Sequence, residues 1–191
     1  EQMRVTNIDE DGVDIENSPF YHMFVLGLVV QIGDWARVWE PSLAEAWDKT
    51  KRDMIRYLAY VTLPNGRLPL LGATGTSIVR NQDPLVYGPL SRIDPEFAWV
   101  WSNGRGGTAP KERVVLFPSS GLFVLRAPDA VPEQTMVTFD AGIYRTDHSH
   151  LDGLSVTLYS DSASLLPDAG LFTYDPGAEY DYFHGTRAHN T

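Results

Sequence analysis

Apolar positions change their period along this chain, and the change falls near residue 113. From about Ser18 to Tyr60 the spacing is helical. Ser18-Pro19 predicts an N-cap followed by proline at the first helical position. Behind it Phe20, Tyr21, Phe24, Val25, Leu28, Val29 and Ile32 are apolar on nearly every face, which predicts a helix buried on several sides. A second helix is expected from Pro41. Its apolar stripe is Leu43, Trp47, Met54, Leu58 and Val61, with Lys49, Lys51, Arg52 and Arg56 off the stripe, and it ends before the turn Leu63-Pro64-Asn65-Gly66. Residues 64–112, rich in Gly and Pro, predict a connecting region with one short helix near Pro84 to Leu90. From Arg113 the period becomes two. Val114–Phe117, Leu122–Leu125, Met136–Phe139 and Leu154–Tyr159 are short apolar runs separated by Pro, Gly, Ser and Asp, as antiparallel strands would be. Helices followed by strands place the chain in the α+β class, as two adjoining units.

Composition narrows what such a chain can do. Its 191 residues are 43% hydrophobic and 12% aromatic, which supports a packed core. The formal charge of −10, with no clustered Lys/Arg stripe, argues against nucleic acid as a partner. The same acidity means that an anionic polymer would have to be met by local cations. Met23 to Ile32 is strongly apolar but too short for a membrane span, so a core helix is expected. Without cysteine there are no disulfides and no thiolate metal sites. No signal peptide is visible, and the polar start at Glu1 to Glu10 and the stop at Thr191 suggest an internal piece of a longer protein.

Candidate chemistry gathers late in the chain. Four of the five histidines lie from His148 onward, and Asp147-His148-Ser149-His150-Leu151-Asp152 is the densest cluster. On a strand, His148 and His150 would share a face. Asp168 follows His150 by 18 residues and His189 follows Asp168 by 21. Two imidazoles and a carboxylate suit zinc or a similar divalent ion, with a fourth position left for water. On spacing alone, solvated or core histidines on separate strands are the favoured alternative. The segment Glu16-Asn17-Ser18-Pro19-Phe20-Tyr21-His22 opens the apolar helix and could present the Tyr21 hydroxyl at a helix end. A packed aromatic is the plainer alternative there, and His22 alone reads as structural.

Taken together, these segments resemble the heparinase II/III family of polysaccharide lyases. Asp11-Gly12 followed by Glu16, Ser18, Tyr21 and His22 resembles its helical motif. Phe117 to Arg126 resembles its paired strands ending in Arg, and His148-Ser149-His150-Leu151-Asp152-Gly153-Leu154-Ser155 its histidine core. Leu165 to Gly170 with Tyr174, and Ala188-His189-Asn190-Thr191, resemble its later steps. The segment Gly72-Ala73-Thr74-Gly75 departs from the pattern, which has an Asp there.

The resemblance implies an (α/α) toroid followed by an antiparallel β-sandwich, truncated at both ends. Residues 1–112 would be the end of the toroid with its connecting region, and 113–191 the start of the sandwich. It implies β-elimination on a uronic-acid-containing polysaccharide. Tyr21 would be the acid and also a base, and His148 an alternate base on the opposite side of the sugar. A divalent metal, zinc first, would sit on His150, Asp168 and His189. His22, Tyr174, Tyr182 and Arg187 are the implied substrate contacts, Arg187 also as a source of positive charge for Tyr21. The implied partners are an anionic polysaccharide and the rest of the parent chain, with no nucleic acid and no membrane span, in a periplasmic or secreted setting. A uronyl C5-epimerase, or a non-catalytic polysaccharide-binding or assembly protein on the same scaffold, are the competing possibilities.

Overall fold

In the computed structural model, residues 6–127, 134–145 and 148–191 are described; Asp147 of the histidine cluster lies outside them. Helices α1 (Pro19–Trp39) and α2 (Pro41–Val61) form a hairpin that turns at Glu40. Ser18 caps α1 as its sequence predicts, its hydroxyl accepting from the Tyr21 N–H at 3.5 Å. The hairpin buries Met23, Leu26 and Val29 of α1 with Met54, Ile55 and Leu58 of α2. Burying a side chain of this size contributes about 1.5–3 kcal/mol relative to leaving it exposed.

One expectation for the hairpin needs correcting. Helix α1 is not covered all round: Phe24, Trp35, Val38 and Trp39 are exposed, because α2 and the loop carrying Tyr87 cover the other side. Lys51, off the apolar stripe, is nevertheless 7% exposed, its ammonium donating to Asp48 at 2.8 Å while its stem packs inward.

The connecting region holds more helix than expected, and in different places. Short 3-10 turns span Val79–Asn81 and Gly88–Arg92, the latter displaced from the helix expected near Pro84 to Leu90. Helix α3 (Pro95–Trp101) was not anticipated. Asp94 caps it through the N–H groups of Glu96 and Phe97, both at 2.8 Å, with Pro95 at its first position.

Five antiparallel strands follow in the order β1-β2-β3-β4-β5: Val114–Phe117, Leu122–Arg126, Met136–Asp140, Ser155–Ser160 and Ala163–Leu166. The first four fall within a residue of the apolar runs. The fifth is joined by a tight turn in which Asp161 and Ser162 both have positive φ, 50° and 67°. Val115, Phe117, Leu122, Val124 and Met136 face the helices. The register puts Leu116, Phe123, Phe139 and Val156 in one row of the other face. That face is apolar and open, with Val114 and Leu116 both more than half exposed.

Among the described residues no helix is long and apolar enough to cross a membrane.

Candidate active site

Three segments are stitched together where the helices meet the sheet. The Ala73 N–H donates to the His148 carbonyl at 2.9 Å, and the Gly72 N–H donates to Asp152 Oδ2 at 2.9 Å. Thr74 Oγ1 lies 3.0 Å from Ser18 Oγ at the mouth of α1. Gly72 is required here: its φ is +51°, and a Cβ would sit 2.9 Å from the His148 carbonyl oxygen. Residues 72–74 therefore form the clamp that brings residues 148–152 against the segment that opens α1. Residues 148–152 form a loop instead of a strand, because their backbone groups bond outward to this clamp and to residues 184–186.

That loop sets His148 directly on Tyr21. The rings stack with centroids 3.5 Å apart and planes 17° apart. The expected arrangement, with the two groups on opposite sides of a sugar, is corrected: no sugar fits between stacked rings. His148 Nδ1 meets Glu16 Oε2 at 2.7 Å, and the Tyr21 hydroxyl meets that of Tyr174 at 2.9 Å. Tyr174 also presents its ring edge-on to His148, with centroids 5.9 Å apart. Burial, then the hydrogen bond with Tyr21, pushes the Tyr174 phenol up, so Tyr174 keeps its proton and can donate it toward the Tyr21 oxygen.

His22 is corrected from substrate contact to core. It is 1% exposed; Nδ1 accepts the Asp14 N–H at 3.2 Å and Nε2 donates to the Met54 carbonyl at 2.9 Å. Burial holds its pKa down to about 4. With both nitrogens bonded to backbone, it has nothing left to offer a ligand.

Asp14, beside it, is 1% exposed, and its Oδ2 is buried with no hydrogen-bond partner. Burial, then the charges of Glu16 and Asp9, pushes its pKa up to about 7. The folded chain thus holds this proton more tightly than the unfolded chain, so stability falls as pH rises from about 4 to about 7. We expect Asp14→Asn to change little at pH 4 and to stabilise above about pH 7, by on the order of 2 kcal/mol after the cost of burying the amide. Urea midpoints across that range measure it; an equal effect at both ends would refute the linkage. His22 works in the opposite sense, losing stability as pH falls from about 6.5 to about 4.

The three expected metal ligands come together. His189 Nδ1 lies 2.6 Å from Asp168 Oδ1, with both side chains fully buried, and the His150 and His189 rings are 5.3 Å apart. Among the described residues no three His, Asp or Glu side chains stand as a ready metal-holding group. The donor chemistry nevertheless fits a cation: His150 Nδ1 and His189 Nε2 are both buried without a hydrogen-bond partner. Burial, helped by His189 and His184, holds His150 down to about 4, so it is the neutral imidazole a metal takes. Burial opposes protonation of His189, but the hydrogen bond and charge of Asp168, then the charge of Asp152, outweigh it and its pKa is raised.

The remaining expected contacts are not drawn into this group. Tyr182 is half exposed and packs edge-on against Phe183. Arg187 is exposed on the 3-10 turn Thr186–Ala188, and among the described residues no ion pair or hydrogen bond ties it to Tyr21.

Residues that carried no assigned role prove important. Asp152 holds the Gly72 clamp. Asn190 ties the last loop to the sheet, donating to the Val156 and Pro167 carbonyls at 3.1 and 2.8 Å. His184, one helical turn after Tyr180, packs its ring 5.2 Å from that of His150. Next to this group a cleft of about 240 Å3 is lined by His150, Asp152, Asp140 and Asn17.

Residues 109–191 match the heparinase II/III-like C-terminal family. The sheet half is thus similar to a heparinase II/III-like C-terminal domain. The whole chain also superposes on solved structures of such proteins. A heparan sulfate lyase of Pedobacter heparinus matches all of it with a TM-score of 0.87 at 21% identity, the match covering 31% of that protein. A heparinase III matches with a TM-score of 0.86 at 20% identity, again over all of this chain and 31% of its own length. Another, with a TM-score of 0.81 at 20% identity, is covered over 33%. The chain thus spans about a third of these heparinases, with helices followed by an antiparallel sheet as in them. No curated protein sequence matches it.

Proposed function

We propose that this heparinase II/III-like chain carries part of the active site of a polysaccharide lyase acting on uronic-acid-containing polymers. The observation that carries the reading is the stacked Tyr21–His148 pair, bonded on one side to Tyr174 and on the other to Glu16. The solved relatives include a heparan sulfate lyase, which puts sulfated glucosaminoglycan uronates first among the substrates.

In β-elimination the C5 proton of the uronate leaves, its electron pair forms the C4–C5 double bond, and the C4–O bond breaks. The departing oxygen then takes up a proton. Hydrogen bonds or cations at the uronate carboxylate stabilise the enolate-like charge. With the rings stacked, the Tyr21 hydroxyl and the His148 imidazole would work from one side of the sugar. That geometry suits an elimination in which proton and leaving oxygen share a face. Tyr21 removes the proton and returns it to the leaving oxygen, while His148 is the alternate base.

A divalent metal, zinc first, would be held by His150 and His189, with Asp168 as ligand or as the carboxylate behind His189. It would supply fixed positive charge that locks the wall behind His148. We expect His150→Ala in the full-length protein to lose bound metal and melt several degrees lower; metal analysis showing equal content would remove His150 from that role.

Further strands of the parent chain would cover the apolar outer face of the sheet, and residues 1–112 would close a helical toroid. A periplasmic or secreted setting suits a polymer of this size.

The test is a screen of the full-length protein against a panel of polyuronates, watching the ultraviolet absorbance of the unsaturated end. Release of the chromophore is expected. Inversion at C5 without it would show an epimerase, and binding without either product a non-catalytic protein.

A further inference from the structure

Glu16 does more than accompany Tyr21 in the sequence. Its carboxylate lies 2.7 Å from His148 Nδ1, both side chains being 24% exposed. Its backbone is tied to the same loop, since the Ser149 hydroxyl donates to the Glu16 carbonyl at 3.0 Å. The next residue, Asn17, has a φ of 52°, a left-handed conformation that asparagine tolerates. This bend lets Ser18 turn away to cap α1 while Glu16 faces the imidazole. The ring is then stacked by Tyr21, packed nearly at right angles by Tyr174 and bonded at Nδ1 by Glu16.

We propose that Glu16 is a positioning residue for His148, fixing the ring with its Nδ1–H on the carboxylate and its Nε2 turned to the substrate. The proposal rests on the lyase reading for its kinetic consequence, but its geometric content stands apart from it. A carboxylate only accepts hydrogen bonds, so the bonded nitrogen is the one that carries the hydrogen. The lone pair is left on Nε2, and the ring cannot flip without losing the bond. A base oriented by a third group in this way is the general pattern of activated proton transfer. Removing an orienting partner of this kind lowers the rate by about 10- to 100-fold.

The experiment uses full-length Glu16→Ala and Glu16→Gln variants on the polyuronate that gives the unsaturated product. Glu16→Ala is expected to lower kcat about 30-fold or more with KM within about threefold, and Glu16→Gln to recover most of the loss, since its amide oxygen accepts the same N–H. Wild-type kcat in Glu16→Ala overturns the proposal, as does Glu16→Gln performing no better than Glu16→Ala. If Glu16→Ala does not fold, Glu16→Gln decides by kcat together with its crystal structure: most of the activity kept with the His148 ring in place, or activity lost with the ring turned, sustains the proposal, while activity lost with the ring in place, or kept with the ring turned, overturns it. If the wild-type protein eliminates no substrate, the lyase reading fails alone. A crystal structure of Glu16→Ala then judges the positioning claim: a His148 ring turned off Tyr21 sustains it, and an unmoved ring overturns it.

Discussion

Tyr21→Phe should abolish the unsaturated product, with kcat at least about 10³-fold lower, while the folded protein persists. The phenol oxygen is the atom that moves the proton in the proposed elimination, and phenylalanine has nothing to replace it. A loss of 10³ corresponds to about 4 kcal/mol of transition-state stabilisation. The structural cost is far smaller. Among the described residues the Tyr21 hydroxyl bonds the Tyr174 hydroxyl alone, in an exposed position, so its removal costs at most about 1 kcal/mol. The ring of phenylalanine can still stack on His148, which keeps the loop in place. Melting temperature and kcat should therefore separate cleanly. Turnover unchanged in the variant would refute the role of Tyr21, and collapse of the fold would show that the ring pair is mainly a packing contact. Tyr174→Phe is a graded companion: it removes the hydroxyl that donates toward Tyr21 and leaves the reacting phenol in place.

Much of this site is legible in the sequence because its residues come in short motifs. Ser18-Pro19 identifies the start of α1, and the alternating apolar runs identify four of the five strands. The motifs around Asp168 and His189 indicate neighbours, and His189 does bond Asp168 while its ring lies 5.3 Å from that of His150. A motif does not say where a side chain points, since that is decided by partners distant in sequence. His22 sits beside Tyr21 in the chain, yet its two nitrogens are claimed by Asp14 before it and by Met54 on the neighbouring helix. The distance between Tyr21 and His148 is likewise set by the Gly72–Ala73 clamp from a third segment.

Helix α3 and the burial of Lys51 are not legible in the sequence, for different reasons. Helix α3 is only seven residues long, too short to show a periodicity, although Asp94-Pro95-Glu96 carries a legible start signal. Lys51 is buried because the (CH2)4 stem of a lysine packs like an apolar side chain once a nearby carboxylate meets its head. A charge off the apolar stripe therefore need not be solvated. The open outer sheet face is a further mismatch between pattern and surroundings. Its rows alternate as a two-sided core would, and the described residues cover one side only.

Arg126→Met should destabilise the protein by about 3 kcal/mol, the largest stability effect expected of a single substitution here. The Arg126 side chain is 3% exposed, at the end of β2, and its guanidinium reaches the last turn of α2. Nε donates to the Tyr60 carbonyl at 3.2 Å, and one terminal nitrogen reaches the same carbonyl at 2.8 Å together with that of Thr62. The other terminal nitrogen donates to Gln134 Oε1 at 2.9 Å. Helix ends leave carbonyls without partners, and here one side chain from the sheet satisfies those of α2 while placing positive charge at the negative end of its dipole. The opposing term is the burial of the guanidinium, which lowers its pKa to about 10 and returns part of the gain. Methionine fills the volume but leaves at least two buried carbonyls unpaired, at about 1–3 kcal/mol each, against the recovered desolvation. Lysine should rescue little, because a single ammonium cannot span Gln134 and the helix end as the planar fork does. Urea midpoints of wild type, Arg126→Met and Arg126→Lys measure this directly. If Arg126→Met were as stable as wild type, the joint between helices and sheet would rest on the apolar contacts of Tyr57 and Phe117 instead of on this fork.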